Sequence, residues 1–99
     1  MIARLYIRKF KSPDNVERMV GTVDTHVMSR ISAVTASLLV YVPKDAPNHM
    51  VELWEYPDED SMQWVRQSLQ GATVIPDAML PENDIHNLDL VMAHNADWD

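Results

Sequence analysis

Cysteine is absent from this 99-residue chain, which excludes a disulfide framework and thiolate chemistry. No stretch approaches the ~20 consecutive apolar residues that a membrane-spanning helix needs. Arg4, Arg8, Lys9 and Lys11 interrupt the N-terminal region, so it does not read as a signal peptide. A cytoplasmic location is the expectation, with no membrane partner. Basic charge is also scarce. Eight Lys and Arg face fifteen Asp and Glu, for a net charge of −7 and a pI near 4.8. Such a chain is a poor binder of phosphate backbones, so nucleic acid is not an expected partner. The four histidines, His26, His49, His86 and His94, stand at no metal-binding spacing. Neither a metal nor a cofactor is expected.

What the chain does have is apolar content, 46% of residues, within a length that makes one domain spanning residues 1–99. A domain of this size buries limited surface per residue, and a homodimer would bury more. The charge is unevenly placed. Residues 1–30 carry six basic side chains against three acidic; the remainder carries two, Lys44 and Arg66, against twelve. Pairing of the first strand with later acidic strands, within the chain or across a dimer, accounts for this without an anionic ligand.

Residues 2–10 alternate, with Ala3, Leu5 and Ile7 on one face and Arg4, Tyr6 and Arg8 on the other, the period of a strand. Ser12-Pro13-Asp14 starts a helix: a hydroxyl cap, proline in the first turn, then acid. Val16, Met19, Val20, Val23, Val27 and Ile31 form one helical stripe. Residues 35–42 read as a second strand and residues 49–56 as a third, antiparallel to it across a proline-containing connector. Pro57-Asp58-Glu59-Asp60-Ser61 opens a second helix with acids where its dipole favours them, and that helix ends near Gly71. Residues 71–84 read as a loop, residues 85–93 as the last strand, and residues 94–99 as a tail. The order β-α-β-β-α-β is the ferredoxin-like split arrangement, an α+β protomer with an antiparallel sheet and a central first strand. Arg4 and Arg8 then face Glu52 or Asp89.

With this plan, Glu52-x-Trp54 followed by Asp58-Glu59-Asp60-Ser61-Met62 resembles the antibiotic-biosynthesis-monooxygenase-like group of the dimeric α/β-barrel superfamily. The resemblance implies a homodimer whose sheets face each other to close a barrel, with a cavity between sheet and helices in each protomer. It further implies activities such as cofactor-free oxidation of aromatic polyketides, quinol oxidation or haem degradation. The haem-degrading subgroup also resembles this chain at Trp54-Glu55. That subgroup carries an Asn on the first strand, a Trp where this chain has Val65, and a His near Ile75; all three are missing here. Haem is therefore not the expected substrate.

The expected activity is that of a cofactor-independent monooxygenase or oxidase acting on a small aromatic or quinol-type molecule. The alternatives are a non-catalytic homodimer that binds a small molecule or protein, and a barrel cyclase or isomerase. Histidine suits proton transfer near neutral pH. His26, at the edge of the first helical stripe, is the candidate base. Tyr6 and Arg8, on the polar face of the first strand, are the candidate stabilisers of a substrate anion. Their competing reading is structural, as an amphipathic strand paired with acids. Trp54, Met62, Val65 and His86 are the candidate substrate-binding residues, with core packing the plainer use of Trp54 and Met62. Trp64, off the apolar face of its helix, is a candidate interface residue.

Overall fold

The structure, a computed structural model, describes residues 1–27, 36–69 and 80–94, apart from the side chains of His26 and Val27. Strand β1 (Ile2–Lys9) leads into helix α1 (Pro13–Thr22), followed by a π-helical segment, Val23–Val27. Strands β2 (Ser37–Tyr41) and β3 (His49–Tyr56), helix α2 (Glu59–Leu69) and strand β4 (Glu82–Asp89) complete the order. The sheet order is β2-β3-β1-β4, and every neighbouring pair is antiparallel. This is the ferredoxin-like α+β arrangement.

Local chemistry starts each helix where the sequence pattern places it. The Ser12 hydroxyl accepts a hydrogen bond from the Asn15 amide at 3.4 Å, and Pro13 occupies the first turn. The Asp58 carboxylate accepts from the Ser61 amide at 2.8 Å, which holds that carboxyl below its usual range. The two helices bury Val16, Met19, Met62 and Val65 against the sheet, joined by Phe10, Val23, Met50, Trp54 and Tyr56 in one core.

The first helix and the last strand depart most from expectation, while β2 is shorter than the expected 35–42. The first helix changes to π geometry at Val23, so a regular 100° projection no longer applies to Val27 or His26. Its predicted continuation to Ile31 lies outside the described residues, as does most of the predicted 71–84 loop. The last strand spans 82–89 rather than 85–93. The polar triplet Glu82-Asn83-Asp84 lacks an apolar pattern, yet it pairs with the basic end of β1. Asn83 accepts from Arg8 Nη1 at 3.1 Å, and Asp84 meets Lys9 at 3.7 Å. Cross-strand polar pairs thus set this register, as they do elsewhere in antiparallel sheets. Asp89 consequently lies opposite Ile2, not Arg4 or Arg8.

The register assigns the two sheet faces. Arg4, Tyr6 and Arg8 share a face with Met50, Glu52, Trp54 and Tyr56, which the helices cover. Ala3, Leu5 and Ile7 share the other with Val51, Leu53, Leu39, Tyr41 and Leu88. Leu39, Tyr41 and Leu88 are exposed. The strand therefore turns its charged side inward and its apolar side outward.

Met50 is fully buried, whereas Trp64 is 40% exposed on α2. Met50→Ala should lower unfolding stability by about 2–5 kcal/mol. Trp64→Ala should change it by only about 0.5 kcal/mol. Urea titration of both variants checks this; a comparable loss in the two would place Trp64 in the core.

Candidate functional site

Between the covered sheet face and the helices lies a cleft of about 470 Å³. Tyr6 and Arg8 of β1 and Glu52, Trp54 and Tyr56 of β3 form its floor. Met19, Val23, Val65 and Leu69 form apolar wall, while Gln63, Arg66 and Gln67 add polar groups. Period-two geometry delivers the floor: residues 52, 54 and 56 project from one strand to one face, beside residues 6 and 8 of the neighbour.

Glu52 organises this floor. It is only 2% exposed, although it is ionisable. The Arg8 Nε–H donates to Oε2 of Glu52, and the Trp54 Nε1–H donates to Oε1 at 3.2 Å. Both carboxylate oxygens thus have donors, the condition for tolerating a buried charge. Arg8 is further held by Asn83 and lies 4.7 Å from the centroid of the Tyr6 ring. Arg4 approaches the same ring at 5.4 Å, so two guanidinium groups flank one phenol. Trp54 and Tyr56 stack with centroids 6.3 Å apart and planes at 6°. Burial pushes the Tyr56 phenol up to about 12, with Tyr6 adding to the rise and Arg4 and Arg66 opposing it.

A smaller cleft of about 270 Å³ lies alongside, between β1, β4 and α2. Arg4, Glu59, Met62, Gln63, Arg66 and Asp89 are among its lining residues. The Nε of Arg4 is buried there and has no hydrogen-bond partner among the described residues.

Of the residues singled out from sequence, Tyr6, Arg8, Trp54 and Val65 meet in the larger cleft. Met62 is buried in the core and lines the smaller cleft. His86 does not begin the last strand; it stands within it, opposite Leu5, on the outward sheet face away from both clefts. The three-residue shift in strand start is the cause. Trp64 lines neither cleft. The side chain of His26 lies outside the described residues. Sequence reasoning used Glu52 for charge pairing and in the Glu52-x-Trp54 resemblance but not as a site residue, and passed over Tyr56 and Arg66. A signal for Glu52 existed: an acid inside the alternating series Met50, Trp54, Tyr56 marks a carboxylate on a buried face. Among the described residues no His, Asp and Glu cluster is arranged to hold a metal ion, and no helix is long and apolar enough to cross a membrane.

Fold and sheet order define a ferredoxin-like α+β protomer, and solved structures share it. A dimeric ferredoxin-like protein from an uncultured marine organism superposes with a TM-score of 0.79 at 12% identity, covering 97% of this chain and 92% of that one. An antibiotic biosynthesis monooxygenase gives a TM-score of 0.67 at 13% identity, covering 93% of this chain and 100% of that one. A NIPSNAP domain protein from Burkholderia xenovorans gives 0.68 at 17% identity, covering 98% and 100%. No protein-family model and no curated protein matches the chain. The likeness is one of fold.

Tyr56 offers a direct check on the site. Its raised folded value means that the unfolded chain loses this proton first, starting near 10.0, while the folded chain holds it to about 12. Between those values the unfolded state binds fewer protons, so this contribution to stability falls as pH rises. Spectrophotometric titration at alkaline pH should show one of the three tyrosines ionising late, and Tyr56→Phe should remove that late step. Absence of a late step that Tyr56→Phe removes would mean that the phenol is not buried.

Proposed function

We propose that the protein is a homodimeric, cofactor-independent monooxygenase or related oxidase that takes a small aromatic or quinol-type molecule into the larger cleft. The observation that carries this reading is the convergence of a phenol and a fixed guanidinium, Tyr6 and Arg8, on an aromatic-lined cleft. The fold it shares with an antibiotic biosynthesis monooxygenase supports it.

In the proposed reaction a base removes a proton from an activated carbon or hydroxyl of the substrate. The resulting anion is electron-rich enough to reduce molecular oxygen directly. For an anthrone-type substrate, oxygen adds at the deprotonated carbon and water is lost from the hydroperoxide. One oxygen atom remains as the new carbonyl and the other leaves as water. Tyr6 donates a hydrogen bond to the anion and Arg8 supplies positive charge, while Trp54 and Val65 provide apolar surroundings that exclude water; Met62, in the smaller cleft, takes no part in this step. Glu52 is not the base, because both its oxygens accept hydrogen bonds. Tyr56 is not the base either, since burial keeps its phenol protonated. His26, on the segment following α1, is the proposed base. His86, on the outward face, is assigned no part in substrate binding.

The outward apolar face is the proposed dimer surface, where two sheets close against each other. Trp64 and the acidic start of α2 remain free for a further partner in the competing reading, a non-catalytic binding module. Sedimentation should give a mass near twice 11.4 kDa. Leu39→Asp, at an exposed position on that face, should shift it to one copy. A parent protein that sediments as one copy at micromolar concentration would remove the dimer.

Oxygen uptake with a panel of anthrones and quinols tests catalysis. His26→Ala should lower turnover about 100- to 10,000-fold with the dimer intact. Tyr6→Phe should lower turnover about 100-fold or more, as removal of an anion-stabilising donor does. His49→Ala, at the start of β3, serves as the control. Inactivity of the parent across the panel would favour the binding module.

A further inference from the structure

The two clefts meet at Gln63 and Arg66, the residues that line both. Arg66 is exposed on the last turn of α2, and Arg4 lies on β1 in the smaller cleft. Neither forms an ion pair among the described residues. Arg4 in addition holds a buried Nε–H that has no acceptor among the described residues, a feature that native structures rarely leave unused. Arg66 lines the larger cleft together with Tyr56 and the smaller cleft together with Arg4. Arg66 is also one of only two basic residues after position 30, in a chain rich in acids.

We infer that the clefts together select anionic aromatic molecules, with the ring in the larger cleft and an acidic substituent, a carboxylate, held by Arg66 at the junction and by Arg4 in the smaller cleft. This deepens the proposed function and rests on its reading of the larger cleft as an aromatic site. Charge placement sets the direction of entry. Exposed Glu59 and Asp89 line the smaller cleft and repel an anion coming from that side. Among the described residues the larger cleft contains a single acid, Glu52, and Arg8 already neutralises it. An anion entering through the larger cleft therefore meets Arg66 as its unneutralised charge. The guanidinium fork suits a carboxylate, since two parallel N–H groups match its two oxygens.

Calorimetric binding of 1-naphthoate and of neutral 1-naphthamide, which share a ring system, tests the assignment. The parent should bind naphthoate about tenfold more tightly than naphthamide, the worth of one charge-assisted hydrogen bond. Arg66→Gln should abolish that preference by weakening naphthoate binding more than naphthamide binding. Arg66→Lys should retain part of it, and Arg18→Gln, an exposed change on α1, all of it. Arg4→Gln should weaken naphthoate binding, with circular dichroism reporting whether the variant is folded. Equal affinities of the parent for the two probes would overturn the anion site and leave the aromatic cleft standing. An Arg66→Gln variant that still prefers naphthoate would overturn it as well. Failure of the parent to bind either probe would remove both the anion site and the aromatic cleft.

Discussion

A carboxylate placed under two helices is the constraint around which this fold is built. Glu52 sits at the centre of the sheet's covered face, 2% exposed, where an unpaired charge would cost several kcal/mol. Its neighbours are arranged to meet that demand. Arg8 comes from β1, and Trp54 from two positions further along β3. Arg8 in turn needs Asn83, which draws the polar start of β4 into the sheet. One buried charge thus links three of the four strands. A mere apolar core would leave the strands freer to slip, since apolar contacts specify spacing but not partner. The Glu52 network ties register to hydrogen bonds between named atoms, and a slip of one residue would carry Arg8 to the opposite face.

The same constraint turns the first strand inside out. In most half-buried strands the apolar residues face the core and the polar residues face water. Here Arg4, Tyr6 and Arg8 face the helices, while Ala3, Leu5 and Ile7 face outward. The strand is not misfolded by this choice. Its arginines reach a carboxylate and an aromatic ring, and the rest of that face is filled by Met50, Trp54 and Tyr56. The consequence falls on the outer face, where Leu5, Leu53 and Val51 adjoin exposed Leu39, Tyr41 and Leu88. Large continuous apolar surfaces are uncommon on monomeric proteins, and a second sheet is the cover that such geometry accepts. The interior polar network and the proposed dimer are two results of a single choice of face.

Alternation and capping made the element order legible before any coordinates. The third strand matches its expected bounds, because residues 49–56 are rich in apolar and aromatic side chains and end at a proline. The first helix start was equally clear from Ser12 and Pro13. What alternation could not show was which face of β1 the helices cover, since both faces carry plausible core residues. The fourth strand misled for a related reason. Its start is held by Lys9, Arg8 and their polar partners, and its apolar residues Leu90, Val91 and Met92 lie beyond its end. The candidate site was half legible. Tyr6 and Arg8 were visible as a pair on one face, and Trp54 as a large aromatic near them. Arg66 was not, because a lone arginine on a helix looks like ordinary surface charge until a neighbouring strand brings Arg4 beside it.

These features bear on how the proposed cofactor-independent site would work. A protein that oxidises or binds an anion must hold its positive groups in place before the ligand arrives, because reorganising them afterwards consumes the stabilisation they offer. Strands do this better than loops, and here the charged floor stands on the sheet. Arg8 is fixed at Nε by Glu52, at Nη1 by Asn83 and across its plane by Tyr6. Its remaining N–H groups are presented with little freedom to move. Arg66 is different: it stands at the exposed end of α2 and can follow a ligand. One cation held by several partners for the reacting anion and one exposed cation for a distal acid is a division of labour suited to the proposed chemistry.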